Sequence, residues 1–475
     1  MVDGKRDCED ASAVPGCGEG TDGGAILSCG TPAPGFHVLN LGCKVNRAES
    51  DTMAASCMAA GGVRRDAGDA DVAIVNTCTV TAEADAKTRK AIRKLLRESS
   101  CPVVVTGCAA AMHADDLAAL SERVVVEPSR LKASQVAVNV LAEAAGVSAP
   151  RADAAPGANM AMATPTALEK PPATEVFVAQ SPDAVKLRAT SGFKTRMDIK
   201  IQDGCNNACT YCIVHVARGP VTSLSIAEVV AQVESAHAAG VGEVVLTGVN
   251  LGCFNDHGAR LPQLLEALMR TPIGRVRISS IEPPHINAEL AQVMGANPQR
   301  ICAHLHVPLQ SGCDRTLAAM HRLYDSDEFV QRIALVRDAC PELSLTTDVI
   351  VGFPQESDED FAQSLDFCRS MGFSKMHVFR YSRREGTPAA EMDGQIPPEV
   401  AAQRARAMRD LSDEMRHADA LARVGRRERL LMMTPTLGMA QSYHEVVLST
   451  PQSEGSFVDA TIDGVREDGR LTACL

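Results

Sequence analysis

The stretch CNNACTYC, from Cys205 to Cys212, sets three cysteines at gaps of three residues and then two. Thiolates so spaced are metal ligands, and their number is the informative part. A structural zinc site closes with four ligands and calls for a second CxxC or HxxxH pair nearby. None is close to this loop. Three thiolates instead leave one iron of a [4Fe–4S] cube without a protein ligand. Catalysis requires an open iron, because a small molecule must chelate it, so the missing ligand is read as substrate or cofactor. The competing reading is a zinc site or a coincidence of thiols.

A second trio is spread through the first part of the chain. Cys43, Cys78 and Cys108 each lie just past an apolar strand-like run, in LGC, NTC and TGC. Parallel neighbouring strands bring their carboxyl ends to one edge of a sheet, so three distant cysteines can converge there. A core cysteine can sit anywhere along a strand, and this shared placement is not what packing alone would produce. Ordinary buried thiols are the alternative.

The elements that must position these residues follow from periodicity. Residues 1–35 are rich in Gly, Asp, Ala and Ser and read as a disordered leader whose Cys8, Cys17 and Cys29 are stray thiols. Between 36 and 145, the runs FHVLNLGC, DVAIVNTC and CPVVVTGC alternate with helical patterns, predicting an α/β domain on a parallel sheet. Residues 146–193, rich in Ala, Pro and Thr, read as a long linker. Six strand candidates, each followed by a helical stretch, fill 194–424 and predict a partial (β/α)6 barrel with its site at the strands' carboxyl ends. CNNACTYC follows the first of them. The last of the helical patterns, over 397–424, is long and Arg-rich; residues 425–475 then switch to short β runs, predicting a small β-barrel.

Composition bounds the function. The chain has 475 residues, 45% hydrophobic and 22% charged, as expected for a protein with a sizeable core. It carries no apolar run long enough to cross a bilayer and no apolar segment at its start, so a cytoplasmic location and no membrane partner are expected. Seventeen cysteines in a reducing compartment point to metal or redox chemistry rather than disulfides. The net charge of −12 argues against coating nucleic acid wholesale, but not against a local basic patch that meets a folded RNA.

On these residues the chain resembles the radical S-adenosylmethionine (SAM) superfamily, whose signature is CxxxCxxC after the first barrel strand. The resemblance implies that SAM chelates the open iron of the cluster on Cys205, Cys209 and Cys212 and is cleaved to a 5′-deoxyadenosyl radical. Tyr211 holds the aromatic slot that in the family lies near the adenine. LGCKVNRAESD, VNTCTVTAEADAKTR and TGCAA further resemble the N-terminal domain of the methylthiotransferases, as do ARGP, VVLTGVNLG, SSIEP, HLHVPLQSGCDRTLAAMHR, TTDVIVGFP and VFRYSRREGTPAA elsewhere. In that family Cys43, Cys78 and Cys108 would hold a second [4Fe–4S] cluster, where one SAM methylates sulfur; a second SAM would supply the radical that takes hydrogen from adenosine C2. KVN and TVTAEAD look like the branch that modifies N6-threonylcarbamoyladenosine beside the tRNA anticodon. Branches acting on N6-isopentenyladenosine or on a ribosomal-protein aspartate are the near alternatives. An iron–sulfur electron carrier is the alternative of another class, though a carrier would close each cluster with four cysteines. The implied partners are tRNA, a low-potential electron donor of flavodoxin or ferredoxin type, and a sulfur donor.

Further residues are expected to support this chemistry. Thr247, Asn250, Glu282, Gln310 and Asp348, with Ser280, Ser311 and Tyr381, fall where barrel strands end and are read as binding SAM and the target base, although each singly could cap a turn. Gly242-Glu243 echoes an amino-group-binding motif of other radical SAM enzymes. His304 and His306 are read as satisfied core residues, and Cys253, Cys302, Cys313, Cys340, Cys368 and Cys474 as structural thiols. Lys90, Arg93, Lys94 and Arg97 share one face of a helix, away from Ile92 and Leu95, and form either a solvated face or a tRNA contact. The C-terminal segment resembles the RNA-binding TRAM domain of these enzymes. From Tyr443 onward, however, Arg466 and Arg470 face six acidic residues, which argues against strong phosphate binding there.

Overall fold

A computed structural model describes residues 33–146 and 195–475. The leader, its cysteines and the linker lie outside the described residues.

The first domain is a five-stranded sheet of β1 (Gly35–Asn40), β2 (Val63–Arg64), β3 (Val72–Thr77), β4 (Val103–Gly107) and β5 (Val124–Val126), in the order β2-β1-β3-β4-β5. Every pairing is parallel. β3 and β4 are buried along their whole length, which is why their sequences read as continuous apolar runs. The three expected strands are β1, β3 and β4; β2 and β5 are too short, at two and three residues, to leave a pattern. Helix α1 (Lys44–Ala59) and the helix Ala133–Ala144 cover one face through Met53, Cys57, Ala137 and Leu141. On the other face lie α2 (Ala82–Glu98) and the short α3 (Cys108–Met112), with Ile92, Leu95 and Ala109 against Val75 and Val105.

The central domain carries β6 (Arg196–Lys200), β7 (Gln202–Asp203), β8 (Thr222–Ser223), β9 (Glu243–Thr247), β10 (Arg275–Ile278), β11 (His304–His306), β12 (Ser344–Val351) and β13 (Lys375–Arg380). The sheets β10-β9-β6 and β11-β12-β13 are joined by parallel bridges Val276↔Ile301 and Ser280↔His306. Six parallel strands therefore run in chain order as a partial barrel, as expected. Alternate residues such as Met197, Ile199, Val244 and Val276 face the helices and build the largest apolar core. Their neighbours Arg196, Glu243, Arg277, His304 and Asp348 are polar. β7 and β8 pair antiparallel and flank the cysteine loop.

The helix Pro398–Ala422 packs along β13 and leads into a closed five-stranded barrel of β14 (Arg427–Thr434), β15 (Leu437–Met439), β16 (Glu445–Leu448), β17 (Phe457–Val465) and β18 (Leu471–Cys474). Glu243 fixes its seat. It opens β9, is wholly buried, and accepts from Arg196 at 2.8 Å and Arg277 at 3.0 Å, with Arg275 on its other oxygen. The arginines carry on to the C-terminal barrel: Arg275 donates to the carbonyls of Arg429 and Met439, Arg277 to those of Ala440 and Gln441. Glu243 therefore lies at the strand's amino end, away from the cysteine loop. Its proposed echo of an amino-group-binding motif is corrected: it is the keystone between two domains.

Candidate functional site

The loop that carries Cys205, Cys209 and Cys212 is held at both ends. Cys205 N–H donates to the carbonyl of Gly219 at 3.1 Å, and Thr210 N–H to that of Met320 at 3.1 Å. The sulfurs already receive hydrogen bonds: Asn207 N–H to Cys205 and Val214 N–H to Cys212 at 3.4 Å each, and Arg322 to Cys209 at 3.1 Å. The Arg322 side chain is 4% exposed and is steadied by Glu282 at 2.8 Å, whose other oxygen accepts from the Asn207 amide at 2.7 Å. Burial raises all three thiols, Cys212 to about 12, while Arg322 opposes the rise at Cys209. Metal binding must therefore release protons here.

The second trio converges as the sheet geometry predicts. β1, β3 and β4 are neighbours, with Asn40 opposite Asn76 and Thr77 opposite Gly107, so Cys78 and Cys108, directly after their strands, and Cys43, three residues past Asn40, fall at the same edge. The Cys78 thiol is raised to about 11, chiefly by burial and in part by Cys108 and Cys43, so the three sulfurs feel one another. Two amides set the edge. Asn46 donates to Asn76 Oδ1 at 2.9 Å and Asn76 returns a bond to the Asn46 carbonyl at 2.8 Å, locking α1 to β3. Thr77 Oγ1 accepts the N–H of Ala109 at 3.1 Å and anchors the start of α3. Gly107, at φ +94°, must be glycine: a Cβ there would lie 2.4 Å from Asn76 Oδ1.

Neither trio is arranged for one ion. Tetrahedral zinc with Zn–S bonds of about 2.3 Å would draw its thiolates to about 3.8 Å apart. Among the described residues, a single set of three ligand atoms lies mutually within 4.8 Å, namely His306, Asp348 and His377.

The two trios are bridged by Arg218, a buried residue. Its guanidinium reaches Asp203 at 2.8 Å, two residues before Cys205, and Glu49 and Asn46 at 3.0 Å on α1. Asn46 in turn accepts from Cys43 Sγ at 3.2 Å. Burial alone would lower Arg218, but Asp203, Cys108 and Glu49 more than offset it, so the cation stays charged. Lys200 adds a pair to Glu49 at 2.9 Å, and Arg130 forks onto the carbonyls of Ala217 and Arg218. On the other flank Arg384 binds Thr79 and Asp85, next to Cys78.

The other expected site residues divide. Asn250 lies beside the loop network; its Oδ1 accepts from Gly252 N–H while its buried Nδ2 has no partner, an orphan donor that a ligand in this corner would satisfy. Glu282 is there too, engaged with Arg322 and Asn207. Tyr211 packs against Phe353 with the rings at 84°, as part of a small apolar cluster. Thr247 is buried. Gln310 sits at φ +67° in a bridge to Val349. Asp348 is placed elsewhere: mid-strand, 3.2 Å from His306 Nε2, with His377 opposite it on β13. His304 is buried and bonded to Thr346 through Nε2, but its Nδ1 has no partner, so it is not the satisfied core residue expected; His306 is paired to a carboxylate rather than a plain core residue. Lys90, Arg93, Lys94 and Arg97 are all exposed on α2. Arg466 and Arg470 are paired to Asp468 and Glu445 within their own barrel. Sequence reasoning passed over Arg218, Arg322, Asn46, Glu49 and Asp203, although Arg218 and Arg322 fall within the words ARGP and AAMHR.

Two family models match the chain: the radical SAM superfamily over residues 199–368, and an uncharacterized protein family, UPF0004, over residues 35–127. The chain is 34% identical to the threonylcarbamoyladenosine tRNA methylthiotransferase MtaB of Thermotoga maritima, over 76% of this chain and 78% of that one. The chain belongs to the radical SAM methylthiotransferase family. A tRNA-2-methylthio-N6-dimethylallyladenosine synthase of Mycolicibacterium gilvum is also 34% identical, over 86% of this chain and 78% of that protein. Among solved structures, the radical SAM methyltransferase TsrM of Kitasatospora setae shares the fold, with a TM-score of 0.50 at 16% identity, covering 76% of this chain and 74% of that one. Membership in the methylthiotransferase family makes this chain an enzyme and implies SAM and a [4Fe–4S] cluster. Among the described residues, no helix is long and apolar enough to cross a membrane.

Proposed function

We propose that this methylthiotransferase adds a methylthio group to C2 of N6-threonylcarbamoyladenosine beside the tRNA anticodon, with one [4Fe–4S] cluster on Cys205, Cys209 and Cys212 and a second on Cys43, Cys78 and Cys108. The observation that carries the two-cluster reading is the Arg218 bridge. A buried cation spans two three-cysteine sets that come from different domains, each set one ligand short of closure. The clusters and SAM would supply one-electron cleavage and sulfur, the difficult part of the chemistry. The chain's own contribution is placement. Asn207, Val214 and Arg322 present hydrogen bonds to the barrel sulfurs, and Glu282 holds Arg322 where it can do so. Asn250 offers a free amide donor to a ligand at the strand ends. Asn46 and Asn76 fix the edge that presents the second trio.

The substrate branch rests on KVN and TVTAEAD, the words around Cys43 and Cys78, and on the identity to MtaB proteins. Proteins that act on dimethylallyladenosine are about as similar, so the branch needs its own experiment. Mass spectrometry of tRNA nucleosides from a deletion strain should show loss of 2-methylthio-N6-threonylcarbamoyladenosine and retention of any 2-methylthio-N6-isopentenyladenosine. The reverse pattern assigns the other branch.

A further inference from the structure

Lys44 is the first residue of α1 and follows Cys43 directly. Its position is costly without a partner: a cation at a helix N-terminus opposes the helix dipole. Among the described residues it makes no ion pair, and its ammonium lies 5.2 Å from the centroid of the Tyr443 ring. The same ring carries Arg196 at 5.5 Å and Arg277 at 4.7 Å. Glu243, the carboxylate of this corner, is already shared among three arginines, and Asp348 on β12 is taken by His306. Burial alone would raise the Tyr443 phenol, but Lys44, Arg196 and Arg277 together hold it below the ordinary tyrosine value. The Tyr443 ring beneath Lys44 lies 4.8 Å from the His304 ring of β11, which sets Lys44 toward the polar interior side of the barrel. In the same corner His304, 1% exposed, leaves Nδ1 without a partner. Lys44 thus stands over the Tyr443 ring, directly beside Cys43, with no carboxylate paired to it among the described residues.

We infer that Lys44 binds the free carboxylate of the threonylcarbamoyl substituent and is the specificity-determining residue for that anionic nucleoside. The inference rests on the substrate reading above. The chemistry is local: C2 and C6 flank N1 in the ring and C6 carries N6, so the N6 substituent hangs close to the carbon that must approach the trio containing Cys43. A charge-assisted hydrogen bond in a partly dry cavity is stronger than a neutral one. A site that presents a buried donor also rejects an analogue lacking the acceptor far better than an apolar pocket rejects an extra group. A tRNA backbone phosphate would offer similar chemistry, but the interior of the barrel favours the base-borne carboxylate.

The test uses the reconstituted full chain and anticodon stem-loops that carry N6-threonylcarbamoyladenosine, its threonine-amide analogue, or plain adenosine. Lys44→Gln should lower kcat/KM on the carboxylate substrate roughly ten- to hundredfold, and Lys44→Arg should recover most of it. Wild type should discriminate against the amide, while Lys44→Gln should treat the two alike. Iron content and affinity for the plain-adenosine stem-loop should match wild type in both variants. Equal loss of affinity for the plain stem-loop would make Lys44 a phosphate contact and overturn the inference. So would a Lys44→Gln protein that still prefers the carboxylate. If wild type itself fails on N6-threonylcarbamoyladenosine, the substrate reading has failed and the inference falls with it.

Discussion

Arg218 and Cys43 meet on one atom: Oδ1 of Asn46 accepts from the guanidinium at 3.0 Å and from the thiol at 3.2 Å. The other branch of the guanidinium holds Asp203 at 2.8 Å, on the segment that leads into Cys205. One side chain thus sets the position of a residue in each trio's shell. Replacing Arg218 with Ala leaves half-buried Glu49 and buried Asp203 with only Lys200 and Arg130 as cations, a change that costs at most about 3–5 kcal/mol. Arg218→Lys keeps the charge but cannot span Asn46 and Asp203 with one planar fork. The urea midpoint should fall strongly for Ala and less for Lys. An Ala variant as stable as wild type would remove Arg218 from the bridge.

Metal content distinguishes two clusters from one. Anaerobically reconstituted protein should hold about eight irons, and Cys205→Ala, Cys209→Ala, Cys212→Ala together should leave about half. Zinc in place of iron, or about four irons in wild type, refutes the two-cluster reading. Incubation with dithionite, SAM and tRNA separates the roles. A protein with Cys43, Cys78 and Cys108 all changed to Ala should still form 5′-deoxyadenosine but no methylthiolated nucleoside. Persisting methylthiolation would return those cysteines to ordinary thiols.

The basic face of α2 makes a claim about RNA. Its four cations are exposed, with only Lys94 near an acid, Glu98 at 3.7 Å, whereas Arg427, Arg466 and Arg470 of the C-terminal barrel are paired to acids. Neutralising Lys90, Arg93, Lys94 and Arg97 together should weaken tRNA binding and flatten its dependence on salt. If deletion of residues 426–475 hurts binding far more, the charge argument has misplaced the RNA surface.

Acid should loosen the seat of the C-terminal barrel. The arginines Arg277, Arg275 and Arg196 hold the Glu243 carboxyl well below its ordinary value despite burial, which acts the other way. A depressed carboxylate contributes stability above its unfolded pKa and loses it as pH falls through the folded one. The urea midpoint should therefore decline as pH drops below about 4.5, and Glu243→Gln should be less stable at neutral pH with a shallower acid decline. An unchanged profile in the variant would show that Glu243 is not the group lost.

The parts legible in the sequence are those that repeat or cluster. The strand-then-cysteine layout survives because sheet order and chain order nearly agree, and CNNACTYC is local. β2 and β5 escaped because two or three residues carry no period. Arg218 and Arg322 escaped for another reason: a lone arginine reads as surface, and only folding shows that its charge is buried among partners far along the chain. Gly242-Glu243 reads correctly as lying at the start of its strand, but only folding shows the three arginines that Glu243 gathers there. His306 was read as core because alternation reveals facing, not the carboxylate on the next strand.

Among the described residues, no apolar cluster includes side chains from both the first domain and the barrel. They are joined by forks and pairs: Arg130 to Ala217 and Arg218, Arg218 to Asn46, Lys200 to Glu49, Arg384 to Thr79 and Asp85. Greasy faces tolerate sliding; directional bonds do not. The joint is therefore keyed rather than glued. A first domain grafted from a relative would dock correctly only if its Asn46, Glu49, Thr79, Asp85 and Arg130 counterparts travelled with it, because the lock is distributed over five side chains and stored in none of the hydrophobic cores.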